Sequence, residues 1–344
     1  MSLSEAAARV MAQRLRHLES IRDHVVIDGD THPSDPATYS DALRERLRQQ
    51  PNYYQGRPIS AAELVRDMDL ARVDMALCWQ NPAVLTYSDD QARNFDLLLA
   101  ANQAIAGIAT RYPGRIIPAG WTDPKAVGTT RAAEIVEICV EEWGFPVVKL
   151  NPAQNGYQID DAVVLTLVDQ IVALGAVPAF HFGADTPFTP AAGLRTVALR
   201  HPDHPVIGVH MGGGGAGYME ADALYAAARE LGLQCPNVFF IMSAKRDTHI
   251  ESDLIAYRAA GAPWRHNLAV ASDAPYGRVC WNFGGFRAMF DALSKAEGHS
   301  DPRLSANPGL FDQDTVRDFM GRNLADLVIG AYRRIGAVGG VAAG

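Results

Sequence analysis

The chain has 344 residues, 48% of them apolar and 20% charged, and carries a formal net charge of −8 from 31 basic and 39 acidic side chains. That is globular composition with enough apolar residues for a large core. The acidic balance disfavours a non-specific nucleic-acid binder, which must neutralise phosphates with Lys and Arg. No apolar run approaches the ~20 residues of a membrane span. Cys78, Cys139, Cys235 and Cys280 are scattered, with no CxxC pair, so a reduced, cytoplasmic setting is expected.

Residues 1–24 mix both charge signs and predict an exposed N-terminal helical extension rather than a cleaved signal peptide. Short β-rich segments then alternate with amphipathic helical ones. The strand candidates are VVIDG (25–29), MALCWQ (75–80), IIPAGW (116–121), FPVVKL (145–150), VPAFHF (177–182), PVIGVHM (205–211), VFFIMS (238–243) and LAVASD (268–273). Helical patterns between them include SAAELVRDMDLARV, RAAEIVEICVEEWG, DAVVLTLVDQIVALG and MEADALYAAARELG, several ending in Gly as a helix C-terminus favours. Continuously apolar strands fit a parallel sheet buried on both faces. Eight β-then-α units predict an α/β fold, a single (β/α)₈ TIM barrel over 25–335 with C-terminal helices and a flexible tail at 336–344. A doubly wound open sheet is the alternative that alternation alone permits. The segment 41–57 reads as an insertion after the first strand that partly covers the site.

Barrel chemistry sits at the C-terminal ends of the strands, and the ligand-type residues fall there. Strand one runs into Asp28, Asp30 and His32; strand five ends at His181; strand six at His210; strand eight at Asp273. One histidine in an apolar strand is more often a hydrogen-bonded core residue. Carboxylates and imidazoles from four strands on one rim point instead to a metal site. Asp30 and His32 are two apart and share a side of the strand. His201 and His204 precede strand six and belong to the opposite face; His17, His24 and His299 lie outside the barrel units, and His266 precedes strand eight. His249, on the correct rim, stays undecided.

The ordered set IDxDxH, HFG, HMGG and SDAP, followed by FMGRNLADLV, resembles the amidohydrolase superfamily. It is most similar to the amidohydrolase 2 branch, which includes aminocarboxymuconate-semialdehyde decarboxylase and related TIM-barrel hydrolases. The resemblance implies Asp30, His32, His181 and Asp273 as ligands of one divalent metal ion. It also implies His210 as a catalytic imidazole and Asp28 as a structural carboxylate. Where the family commonly shows HxH, Asp30 replaces the first histidine, which hardens the site. Zinc is the expected ion, with manganese or iron as alternatives. Lys149 invites comparison with the carboxylated lysine of other superfamily branches, but a mononuclear site is expected.

These features predict a metal-dependent hydrolase that attacks through a metal-activated water, with Asp273 moving the proton and His210 assisting. The alternative is a non-oxidative decarboxylase acting on a hydroxy-carboxylate at the same site. Arg246, Arg278 and Lys149 would favour a carboxylated small molecule, and Trp79, Trp121, Trp281 and Phe283 an aromatic one. Neither a nucleic acid nor a membrane is expected as partner; a homo-oligomer is, with the N-terminal helix as an interface arm. GGGGAG at 212–217 satisfies GxGxxG, but the next strand ends in Met242 and Ser243 rather than the acid a dinucleotide fold needs. There is no GxSxG elbow. A catalytically silent ligand-binding barrel is the remaining alternative, and it need hold no metal.

Overall fold

The computed structural model describes residues 3–49, 59–183, 187–215, 222–261, 264–295, 299–307 and 309–340. Its strand segments are β1 (Ile27–Thr31), β2 (Met75–Cys78), β3 (Ile116–Pro118), β4 (Gly120–Trp121), β5 (Val147–Leu150), β6 (Val177–His181), β7 (Val206–Val209), β8 (Val238–Met242) and β9 (Leu268–Val270). All pair in parallel, in the orders β1-β2-β3 and β4-β5-β6-β7-β8-β9. Only Ala119 separates β3 from β4, and its N–H bonds the Cys78 carbonyl at 2.8 Å, so the two segments are halves of one strand. At the other seam Thr31 bridges Ala274 in parallel, and the His32 N–H donates to the Ala274 carbonyl at 2.7 Å. Both joins turn the two ladders into one ring of eight strands.

Each predicted strand is present; the first is shifted two residues toward the C-terminus, and the others are shortened or, at 116–121, interrupted at Ala119. Val, Ile, Leu and Phe run through these segments without polar alternation because both faces are covered, by interior side chains within and helices without. Helix starts follow local chemistry. Ser60 and Glu63 form a reciprocal capping box at helix Ala61–Ala71, and Asp90 accepts two backbone N–H groups at the start of Gln91–Arg111.

The N-terminal helix, Glu5–Ile21, differs from the exposed arm expected of it. Ala7, Met11 and Leu18 form a buried stripe packed against the last helix, Asn323–Val338, far away in sequence. Burying side chains such as Met11 and Leu18 contributes ~1.5–3 kcal/mol each. The same last helix carries regular structure beyond residue 336, where a flexible tail was expected; 341–344 lie outside the described residues. Of the expected insertion, Asp41–Gln49 is helical, and 50–57 lie outside the described residues. No helix among the described residues is long and apolar enough to cross a membrane.

Candidate metal centre

β1 carries Asp28 and Asp30, and His32 follows its last residue, so all three reach the C-terminal rim within one strand end. Asp28 faces β9: its carboxylate accepts from the Ser272 N–H at 2.8 Å and from the Ser272 hydroxyl at 2.5 Å. Burial pushes this carboxyl up to about 7. It ties two neighbouring strand ends together and does not line the cavity, as its structural assignment anticipates.

His32 Nδ1 lies 2.9 Å from the Gln80 carbonyl, which can only accept, so Nδ1 carries the hydrogen. Nε2 is thereby aimed at Asp30 Oδ1, 3.3 Å away, and at Asp273 Oδ1, 3.5 Å away. One ligand atom from each of Asp30, His32 and Asp273 can be chosen so that all lie within 4.8 Å of one another, and all three residues are buried. Burial and then the neighbouring Asp30 push the Asp273 carboxyl up to about 6. Burial works against charging His32, but hydrogen bonds to Asp273 and Asp30 outweigh it and raise its pKa.

Asp30 is gripped from three sides. Trp79 Nε1 donates to Oδ1 at 2.7 Å, Ser243 Oγ donates to Oδ2 at 2.7 Å, and Lys149 Nζ lies 3.6 Å from Oδ1. Burial alone would raise this carboxyl; the Lys149 ammonium and then His32 hold it well below the usual range. Lys149 is itself fully enclosed, 4.1 Å from the Trp79 ring centre and 5.1 Å from that of Trp121. Burial lowers its pKa, and Asp30 opposes that shift.

His210 Nδ1 meets Ser243 Oγ at 2.7 Å. Since the Ser243 hydrogen goes to Asp30, the imidazole is the donor here and its Nε2 is left with a lone pair. Burial and then His181 hold His210 well below its ordinary pKa, so the ring is neutral. His210, Met211, Ala244 and Asp273 are four of the five described non-glycine residues with positive φ. Such strained backbone concentrates where a surrounding structure over-determines it, and here it marks the ends of β7, β8 and β9.

His32, Lys149, His181, His210, Asp273 and Tyr276 line one cavity of about 130 Å³. His181 is on its wall but outside the compact group of Asp30, His32 and Asp273. Its ring is turned toward Gly183, where a Cβ would come 2.7 Å from Nε2, and stands edge-on to His210 at 4.7 Å. Thus three of the four expected ligands are drawn together. Two carboxylates and an imidazole suit a divalent cation, and the Gln80 carbonyl on His32 supplies the outer hydrogen bond that such a ligand needs.

Other expected residues have different places. Trp79 backs the cavity through Asp30 and Lys149 rather than lining it. Arg246 is turned to Asp222 and His249, so the field of Asp222 holds both and neither lines the cavity. Arg278 also lies off the cavity wall; its backbone N–H is 3.4 Å from Asn282 Oδ1. His204 bonds the Ala176 carbonyl at the opposite end of the barrel, and Phe283 is core. Trp121, one of the expected rim aromatics, does line the cavity, beside Lys149. Sequence reasoning passed over Ser243 and Tyr276. Ser243 had a signal: it ends VFFIMS at the same rim level as His210 and Asp273.

The fold and this cluster define an α/β-barrel with a carboxylate–imidazole centre of the kind that holds divalent metal. The chain belongs to the amidohydrolase family: the family model, described as "Amidohydrolase", matches residues 27–297. Among solved structures it is similar to an uncharacterised TIM-barrel protein from Bordetella bronchiseptica, with 16% identity and a TM-score of 0.61 over 89% of this chain and 99% of that one. It is also similar to 5-carboxyvanillate decarboxylase from Novosphingobium aromaticivorans, complexed with manganese and 4-hydroxy-3-methoxy-5-nitrobenzoic acid. There the identity is 15% and the TM-score 0.60, over 89% and 96% of the two chains. A third is a probable 2-pyrone-4,6-dicarboxylic acid hydrolase from Acinetobacter baumannii with citric acid bound, at 14% identity and a TM-score of 0.55 over 88% and 98%. At these identities the likeness is one of fold, and it is a TIM barrel. Comparison with curated proteins finds no significant match.

Proposed function

We propose that this protein is a metal-dependent carbon–carbon lyase that removes carbon dioxide from a small hydroxyaryl carboxylate. One observation carries the reading: Lys149 and the Asp273 carboxyl line the same cavity, a cation and a proton-carrying group facing one small space. Decarboxylation needs an anchor for the leaving carboxylate and a proton for the carbon it leaves. Asp30, His32 and Asp273, with His181 on the same wall, would hold a divalent ion such as manganese, zinc or iron, which when bound polarises substrate oxygens. Lys149 attracts and orients the carboxylate. His210 offers a neutral Nε2 to the substrate hydroxyl. As the carbon–carbon bond breaks, its electron pair stays on the ring carbon, which takes the proton from Asp273, and carbon dioxide departs. The carboxylic-acid ligand of the decarboxylase to which the chain is similar supports this choice.

Hydrolysis, the leading expectation from sequence, is the second reading. It is favoured by the neutral His210 Nε2, which can take a proton from water as well as from a hydroxyl. The test is to incubate the manganese-loaded protein with hydroxybenzoates, esters and lactones, measuring carbon dioxide and released acid separately. Carbon dioxide from hydroxybenzoates, abolished in Asp273→Asn, is expected. Opening of esters or lactones without carbon dioxide release would replace the lyase reading by the hydrolytic one.

A further inference from the structure

At about 130 Å³ the metal-site cavity is well below the roughly 300–1,000 Å³ of ordinary small-molecule sites. Asp273, Tyr276, Gly214 and Gly215 line it, and the same four residues line a second cavity of about 640 Å³. This arm runs between helix Asp247–Ala260 and helix Val279–Lys295. Trp281, Gly285 and Met289, four residues apart along one helix face, form its wall beside Phe286, and Ile250 contributes from the other helix.

Two features show what the arm is shaped to accept. Trp281 is 74% exposed and stands on the wall of the arm, so its indole is free to pack against an aromatic ring that enters there. Gly285 sits inside a helix, where glycine is unfavourable by about 1 kcal/mol relative to alanine, yet a Cβ there would meet nothing within 4 Å. Any side chain at that position would stabilise the helix and fill the arm. Charge points the same way. Among the described residues the one lysine on the wall is Lys245, whose ammonium is bound by Asp253 and the Met211 carbonyl, while Asp247 adds a negative charge. Ser243, Ser272 and Asn282 make the end next to Asp273 polar, while Ile250, Trp281, Phe286 and Met289 form an apolar stretch; with Asp247 on its wall the arm suits an uncharged ring and repels a carboxylate, which the Lys149 side of the metal cavity attracts.

We propose that the arm binds a second ring of the substrate, so that the preferred substrate is a two-ring hydroxyaryl carboxylate whose reacting end lies beside Asp273. This rests on the carboxylate reading of the metal site given above. The experiment compares binding of salicylate with its 4-phenyl and 5-phenyl derivatives to the manganese-loaded protein by calorimetry. At least one phenyl derivative should bind roughly tenfold tighter than salicylate, as expected for burying a ring. Gly285→Leu should erase that gain and leave salicylate within about twofold. Gly284→Leu, the same change at a helix position that does not line the arm, should leave both affinities unaltered. No gain from the second ring, or a gain that survives Gly285→Leu, overturns the arm while leaving the metal-site reading intact. If salicylate itself does not bind, the carboxylate reading fails instead. The arm is then judged with 4-phenylphenol, whose binding must be present in the parent protein and vanish in Gly285→Leu.

Discussion

The Ser243 hydroxyl and the His210 imidazole meet at 2.7 Å, and the hydroxyl hydrogen is committed to Asp30 at 2.7 Å. A single hydroxyl thus fixes which ring nitrogen of His210 carries the hydrogen and holds one oxygen of a metal-ligand candidate. Replacing it by a methyl leaves a buried donor and a buried acceptor unpaired.

Ser243→Ala should lower kcat about tenfold with KM within about twofold, because the loss falls on orientation rather than on substrate contact. Ser243→Thr, which keeps the hydroxyl, should recover most of the rate. Equal losses in the two variants would show that packing alone is at stake. Steady-state kinetics on the substrate found by the carbon dioxide screen provides the measurement.

The second prediction concerns Lys149, which neutralises Asp30 inside the barrel at 3.6 Å. Lys149→Met preserves much of the stem between Trp79 and Trp121 but leaves a buried carboxylate without its cation. Removing one member of a buried pair costs about 3–5 kcal/mol. A bound divalent ion would supply the missing positive charge. The fall in Tm should therefore be large in chelator and markedly smaller in manganese; equal falls in both would show that no ion binds beside Asp30.

Much of this site was legible because barrel strands deliver their chemistry at one predictable level. Asp30, His32, His210 and Asp273 are each read off a strand end, and the two-residue spacing of the first pair does bring both into one group with Asp273. What sequence could not show is where long or rotatable side chains turn. Arg246 finds Asp222 on a separate segment, and the His181 ring turns back against Gly183, two residues on. The positive φ values at His210 and Asp273 were equally hidden: Asp and His adopt that conformation more readily than most residues, but it is uncommon for any non-glycine residue and neither position carries a turn motif that marks it. In the N-terminal helix, mixed charge on one face obscured the buried stripe on the other.

At the opposite end of the barrel, burial lowers His204 to about 4 from its usual value near 6.5. Between those two pH values the unfolded chain binds more protons than the folded one, so this group's contribution to stability is complete above pH 6.5. It is lost as pH falls toward 4. Thermal melts across that window should show a steeper fall for the parent protein than for His204→Asn. Identical slopes would show that His204 ionises as readily in the fold as outside it.

The last prediction sets two glycines against each other. Gly214 has φ +65° and approaches His210 so closely that a Cβ would stand 2.9 Å from its Cδ2. Gly284 lies in a helix where a Cβ meets nothing within 4 Å. Gly214→Ala therefore brings both backbone strain and a displaced imidazole. It should destabilise by about 1–2 kcal/mol in urea denaturation and depress kcat along with it. Gly284→Ala should raise stability by about 0.5–1 kcal/mol and leave kcat alone. If Gly214→Ala kept full activity, the glycine loop would have no part in holding His210, and the hydrogen bond that His210 donates to Ser243 would be left as the element that orients the ring.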